Sequence, residues 1–428
     1  MAATIIPSAL IQGQSSNTTR QVYESIDALV ADGLVANPEV RAAFARWEAV
    51  RKQVPARRAL PEPSVQYTHY LQSVETRVGP QRGAAGLSQR LPWFGKLRLE
   101  GRIAESRGQA AYHQYAATVQ RVAAEIEAAY WDYLFLLRAI QITQQSVELL
   151  RNWEQVVLAK YTTAQAGHPD VIKAQVEVLS LEDRIESLRQ RQRPHLQRLS
   201  AAVGIPLTPD VIREVPIPRF DAPASLDSLL SELLQHNPEL LASRALQAAA
   251  RQTVSRERLN YLPDLTAGGQ VIFTGENPML GDDPQNGRDP VMFSVGLSIP
   301  IRWKKYRALE QSARAEQRSA ELTTAHIENR LLSGLELVRY ELQDAARRVR
   351  LYQEALIPRA GQAMLTTEAA YISNKVDFLT LIESQRVLLD YQLSYQESLA
   401  DQARQRAQLF ALLGRYPVNT PFMEENLK

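Results

Sequence analysis

Residues 291–303 read Val-Met-Phe-Ser-Val-Gly-Leu-Ser-Ile-Pro-Ile-Arg-Trp. Val291, Phe293, Val295, Leu297 and Ile299 alternate with Met292, Ser294, Gly296 and Ser298. A period of two predicts a strand with one apolar face. Just upstream, Leu265, Ala267, Gly269, Val271 and Phe273 share a face, opposite Thr266, Gly268, Gln270 and Thr274. The stretch between, Thr274 to Pro290, is rich in Gly, Pro, Asn and Asp and reads as a loop. The two strands therefore make a hairpin. Downstream, the period changes. Leu331, Leu335, Val338, Leu342, Ala345, Val349, Tyr352 and Leu356 step by four and three, the seam of a long coiled helix. Pro358 should kink or break it.

The same order of elements occurs earlier in the chain. Asn37-Pro38-Glu39 recurs as Asn237-Pro238-Glu239, and Leu60-Pro61 as Leu262-Pro263, at offsets of 200 to 202. Gly86-Leu87-Ser88 recurs as Gly296-Leu297-Ser298, Trp93 as Trp303, Tyr161 as Tyr371, Gln175 as Gln385 and Gly204 as Gly414, all at 210. The extra residues fall in the loop before Gly296. The expected organisation is an N-terminal tail (1–23), a first repeat (24–204), a linker (205–224), a second repeat (225–414) and a C-terminal tail (415–428). Each repeat opens a helix at Asn-Pro-Glu, with Asn as N-cap and Pro at the first helical position. These helices should run about 38–54 and 238–259. The first-copy hairpin, 64–76 and 84–91, alternates more weakly (Val65, Tyr67, Leu71; Ala85, Leu87, Leu91). Its long helix carries Val122, Ile126, Ala129, Tyr133, Leu136, Ile140, Thr143, Val147 and Leu150 on one seam. Residues 96–160 lack proline and would span about 95 Å as one helix. Return helices follow, one seamed by Val171, Ala174, Val178, Leu181, Ile185 and Leu188, its counterpart over about 377–413. Gly204 and Gly414 should end them. The fold class is mainly α with a small β part: a duplicated helix, β-hairpin and long helical hairpin.

Composition sets limits. The chain has 428 residues, no cysteine, 19 glycines and a net charge of +2. Lack of cysteine excludes a disulfide scaffold, a thiolate metal site and a cysteine nucleophile, and leads us to expect no lipid-anchored N-terminal cysteine. The charge gives no footprint for nucleic acid. Mean hydropathy is −0.28, and no uncharged apolar run approaches a spanning helix. A helical membrane protein is excluded, whereas a β-barrel is not. Residues 1–14 have no Lys or Arg before a small apolar stretch, unlike a secretory signal. Either the chain is not exported, or an initiator Met replaces the native signal.

No catalytic constellation appears. His69, His113, His168, His195, His236 and His326 are isolated, and the five methionines form no cluster. No phosphate loop, H-E-x-x-H or G-x-S-x-G is present. We expect no cofactor, no metal site and no enzyme. Arg189, Arg191 and Arg193 follow Glu182, Asp183 and Glu186, so a solvated helix face explains them better than nucleic acid. Trp93 and Trp303 stand at equivalent strand-to-helix junctions, either as ordinary packing or as an aromatic belt at a membrane edge. At the return-helix starts, Asp170 and Asp377 are explained by helix capping against the macrodipole.

The duplication, the Asn-Pro-Glu openings, the segment Gly86-Leu-Ser-Gln-Arg-Leu-Pro-Trp-Phe-Gly95-Lys96 and the Tyr161-x8-Asp170 spacing together resemble the TolC-like outer-membrane efflux family. The likeness covers nearly the whole chain and is nearest to members serving metal-cation or small-molecule pumps. It implies a homotrimer, since four strands cannot close a barrel and an open edge is not viable in lipid. Three chains would supply a barrel of twelve strands, continued by an α-helical barrel across the periplasm. It implies outer-membrane lipid, a periplasmic adaptor protein and an inner-membrane pump as partners, and the outer membrane of a Gram-negative-type bacterium, with a periplasmic extension, as location. Val271, Phe273, Phe293, Val295 and Leu297 would face lipid. Tyr371 and Glu383 match gating positions near a closed periplasmic tip, with Asp377 and Asp170 beside them. Thr380 stands where the family often has an acid, and Val376, beside Lys375, where some members have a gating Arg. The alternative function is a soluble coiled-coil scaffold whose hairpins meet a partner.

Overall fold

A computed structural model describes Tyr23 and residues 25–213, 215–220 and 225–418. The expected tail 1–23 apart from Tyr23, part of the linker and the end of the C-terminal tail lie outside the described residues. The elements run α1 (Ile26–Ala36), α2 (Pro38–Arg58), β1 (Ser64–Val74), β2 (Gln81–Leu91), α3 (Lys96–Thr162) and α4 (His168–Val203). Then come α5 (Leu226–His236), α6 (Pro238–Arg258), β3 (Asp264–Thr274), β4 (Val291–Ser298), α7 (Trp303–Leu351), α8 (Ile357–Ile372) and α9 (Phe378–Leu413). Among the described residues no helix is long and apolar enough to cross a membrane.

By contacts the chain divides into two units. One comprises the described residues within 1–37, 123–222 and 342–407. Its interior is the pair of helical seams. Val122 at the boundary and Ile126, Ala129, Tyr133, Leu136, Ile140, Thr143, Val147 and Leu150 are all buried. So are Val171, Ala174, Val178, Leu181 and Ile185 of α4. Asn37 Nδ2 donates to Ala202 O in the last turn of α4 at 2.7 Å. Gly204, at φ 86, then ends that helix.

The second-copy seam holds through Val349 and then changes. Tyr352–Leu356 is a π-helical turn, where Tyr352 and Leu356 are only half-buried. Pro358 supplies the cause. It has no N–H to donate, and its ring would clash with the carbonyl four residues back in a regular helix. The wider turn relieves both, and α8 resumes with Pro358 in its first turn.

The other unit comprises the described residues within 38–122, 223–341 and 408–428 and contains the sheet. Asn237 repeats the role of Asn37 and also caps α6. Its Oδ1 accepts from Leu240 N–H at 2.9 Å, and its Nδ2 donates to Leu412 O at 2.9 Å. Gly414 ends α9 at φ 72, where a Cβ would stand 2.7 Å from His236 O. The four strands form one antiparallel sheet in the order β1-β2-β3-β4. The hairpins of the two copies thus join through β2 and β3, leaving β1 and β4 as edges.

Candidate functional site

The strand register brings the apolar positions of both copies onto one face. Residues directly opposite across a ladder share a face. Val65, Leu87, Gly269 and Phe293 form one such row, and Tyr67, Ala85, Val271 and Val291 the next. Leu91, Leu265 and Leu297 make another, with Val295 opposite Ala267. The reverse face carries Ser64, Ser88, Gly268 and Ser294, then Gln66, Gly86, Gln270 and Met292. Val65 is 81% exposed and Phe293 78%, whereas Ala84 and Ile272 on the polar side are 1% and 9% exposed. An exposed apolar face of this kind marks a surface that meets a partner or a membrane.

A buried ion cluster fixes the sheet to the helices after it. Asp264, first residue of β3, accepts from Lys96 Nζ at 2.7 Å, from the Trp93 N–H at 3.0 Å and from Arg90 at 2.7 Å. Lys96 and Asp264 side chains are 9% and 11% exposed, so each neutralises a charge that burial would otherwise penalise. Trp93 is half-buried beside this cluster. Trp303 is 62% exposed and stacks on Tyr261 at 5.9 Å.

In the first unit, the two helix-to-helix turns repeat one geometry. Ala164 and Asn374, 210 positions apart, adopt left-handed φ values of 57 and 56. Gln165 N–H donates to Lys160 O, and Lys375 N–H to Ala370 O, both at 2.8 Å, closing the two last helical turns alike. Lys160 joins the turns. Its Nζ donates to Tyr371 O at 2.6 Å, Ile372 O at 3.1 Å and Asn374 Oδ1 at 2.7 Å. It also lies 4.4 Å from the centre of the Tyr371 ring. A cation on the last carbonyls of α8 complements both the unpaired acceptors and the helix dipole.

Tyr371 is 6% exposed and packs on Phe378 at 5.4 Å. Its hydroxyl has no hydrogen-bond partner among the described residues. Burial, with the charge of Asp170 added, pushes its hydroxyl above the usual tyrosine range. Asp170 is half-buried and lies 3.5 Å from Lys173. It belongs to the first turn of α4 without capping it, since the N-cap is Gly167. Asp377 does cap α9, accepting from the Thr380 N–H at 3.1 Å and from the Thr380 hydroxyl. Those bonds hold its carboxyl below the ordinary value, the hydroxyl contributing most. Glu383 is exposed one and a half turns further on.

Deeper along the same helices, Arg386 donates to Glu177 through two guanidinium nitrogens, Nε at 2.8 Å and Nη2. The Glu177 side chain is 6% exposed. Sequence reading missed this pair, the Lys160 contacts and the Asp264 cluster. Glu177 stands beside seam residue Val178, and a charge flanking a seam is the available signal. Among the described residues, no three His, Asp or Glu are placed to hold a metal ion.

The sequence profile of the outer membrane efflux protein family matches residues 29–205 and 229–415. Nodulation protein T of Rhizobium leguminosarum bv. trifolii is 21% identical over 406 residues, covering 91% of this chain and 84% of that protein. The cobalt-zinc-cadmium resistance protein CzcC of Cupriavidus metallidurans is 21% identical over 356 residues, covering 80% of this chain and 79% of that one. Among solved structures, the outer membrane protein VceC of Vibrio cholerae superposes with a TM-score of 0.74 at 18% identity, over 91% of this chain and 96% of that chain. With two matched segments spanning most of its length, the chain belongs to the outer membrane efflux protein family: it is an outer-membrane channel protein and not an enzyme.

Proposed function

We propose that three copies of this chain close a barrel of twelve strands and serve as a passive export duct for small molecules or metal cations leaving the periplasm. The observation that carries this is the open four-stranded sheet, with two free edges and an apolar outer face. In lipid, β1 of one copy must pair with β4 of the next, because unpaired backbone there is prohibitively costly. The repeats 24–204 and 225–414 would then alternate around the axis. Val271, Phe273, Phe293, Val295 and Leu297 would meet lipid, and Trp93 and Trp303 the membrane edge. A relative named for cobalt-zinc-cadmium resistance supports metal cations as cargo.

The turns at Ala164 and Asn374 would form the periplasmic tip, which an adaptor protein opens and an inner-membrane pump feeds. Asp170, Asp377 and Glu383 would each become a ring of three acids, and acidic rings favour cations. Tyr371 would set the resting aperture by holding the start of α9 in place. Planar-bilayer recording tests this. Glu383→Ala with Asp377→Ala should lower cation preference, and Tyr371→Ala should raise resting conductance. Unchanged selectivity and conductance would leave Asp377 a helix cap, Tyr371 a core residue and Glu383 a solvated surface charge. A detergent-free, stable monomer would refute the duct itself.

A further inference from the structure

β4 ends at Ser298, but exposed apolar residues follow it. Ile299 and Ile301, in the turn between β4 and α7, and Trp303, the first residue of α7, are 71%, 75% and 62% exposed. Immediately there, four cations crowd into six residues: Arg302, Lys304, Lys305 and Arg307, all exposed. None of them forms a salt bridge among the described residues. Lys305 only approaches the Tyr306 ring, at 5.7 Å, and Arg307 acts on the Tyr261 hydroxyl through space. The first turn of α7 contains no acid. The nearest acid along the helix, Glu310, is already engaged by Arg314 at 2.7 Å, Arg258 at 3.2 Å and the Tyr261 hydroxyl at 3.3 Å. The first copy solves the same junction differently, with Lys96 and Arg90 both held by Asp264. Further along α7, Arg330 is matched by Glu239 and Arg347 by Asp344, whereas Arg318 and Arg350 form no salt bridge among the described residues. The cluster at 302–307 therefore has no counter-charge of its own at the place where an apolar face ends and an exposed tryptophan begins.

We propose that Arg302, Lys304, Lys305 and Arg307 bind the phosphate headgroups of anionic phospholipids in the leaflet at which β4 ends. The inference rests on the reading of the 291–297 face as lipid-facing, and continues that surface by charge complementarity. Trp303 anchors the turn at headgroup depth while the cations surround it. Positions 303 and 307 are one turn apart, so Trp303 and Arg307 share a helix face. Lys304 lies about 100° around the helix from Trp303, and Lys305 about 200°, on its far side. Aromatic rings with flanking Lys and Arg are the combination that an interface between hydrocarbon and anionic headgroups selects. Each cation near such a surface contributes roughly fivefold in affinity, and the attraction falls as salt screens it.

The full chain is reconstituted in phosphatidylcholine nanodiscs and titrated with short-chain phosphatidylglycerol, short-chain phosphatidylcholine or inorganic phosphate. The expected result is tighter binding of phosphatidylglycerol by tenfold or more over phosphatidylcholine, lost in high salt. The triple variant Lys304→Gln, Lys305→Gln, Arg307→Gln should still insert and lose that preference. Arg318→Gln, further along α7, should keep it. Insertion with equal affinity for both lipids would overturn the proposal while leaving the membrane reading intact. Inorganic phosphate competing as well as phosphatidylglycerol would replace the lipid with a free anion. Failure of the wild-type chain to insert would overturn both readings.

Discussion

Lys160→Met removes the cation that joins the two turns and keeps most of the apolar stem. Its bond to Tyr371 O at 2.6 Å is partly shielded, and a charged hydrogen bond of that kind contributes about 1.5–3 kcal/mol. The bonds to Ile372 O and Asn374 Oδ1 are exposed, and water replaces them at little cost. Loss of the contact with the Tyr371 ring adds about 0.5–1 kcal/mol. The α8–α9 turn should therefore open more easily by about 2–4 kcal/mol, which is roughly 30- to 900-fold in a local equilibrium. Hydrogen exchange reads this directly. The amides of Asn374 and Lys375, bonded to Tyr371 O and Ala370 O, should exchange faster by that factor. The amide of Gln165 bonds to the backbone of Lys160 and should change little. Acceleration below about threefold, or equal acceleration at both turns, would refute the assignment of Lys160 as the link.

Arg386→Ala strands the buried Glu177 carboxylate and should cost about 2–3 kcal/mol in denaturant unfolding, with partial recovery in the double variant carrying Glu177→Gln. The Asp377 cap has a sign fixed by its lowered pKa: its contribution is complete above the ordinary aspartate value and is lost as pH falls through the lower folded value. The stability gap between wild type and Asp377→Ala should thus be flat from neutral pH to about pH 5 and vanish in stronger acid. Gly414→Ala should cost more than the roughly 1–2 kcal/mol of a left-handed alanine, because its Cβ also meets His236 O at 2.7 Å. A loss at or below that range in the unfolding midpoint would mean the close approach is relieved.

Local patterns in the sequence reach as far as the elements and faces. The alternation at 291–299, the seam from Leu331 to Val349 and the Asn-Pro-Glu openings each express one period or one cap, all within a few residues. The π turn was legible as a disturbance at Pro358, but its form depends on how the carbonyl ladder relaxes. Lys160 with Asn374, Glu177 with Arg386 and Asp264 with Lys96 lie 214, 209 and 168 positions apart. No periodicity links such partners, and each residue alone reads as a solvated charge. Tyr371 illustrates the same limit. Its match to a gating position comes from resemblance, whereas its burial against Phe378 and under Lys160 comes from three elements meeting.

The most direct test of the lipid-facing sheet uses the absence of cysteine from the chain. Val295→Cys and Ser294→Cys, neighbours on opposite faces of β4, each receive a nitroxide in proteoliposomes. Collision with oxygen reports hydrocarbon, and collision with a water-soluble nickel chelate reports an aqueous lumen. A barrel wall built from this sheet gives an oxygen-accessible label at 295 and a nickel-accessible label at 294. Nickel access at both positions, or the reverse assignment, would contradict it.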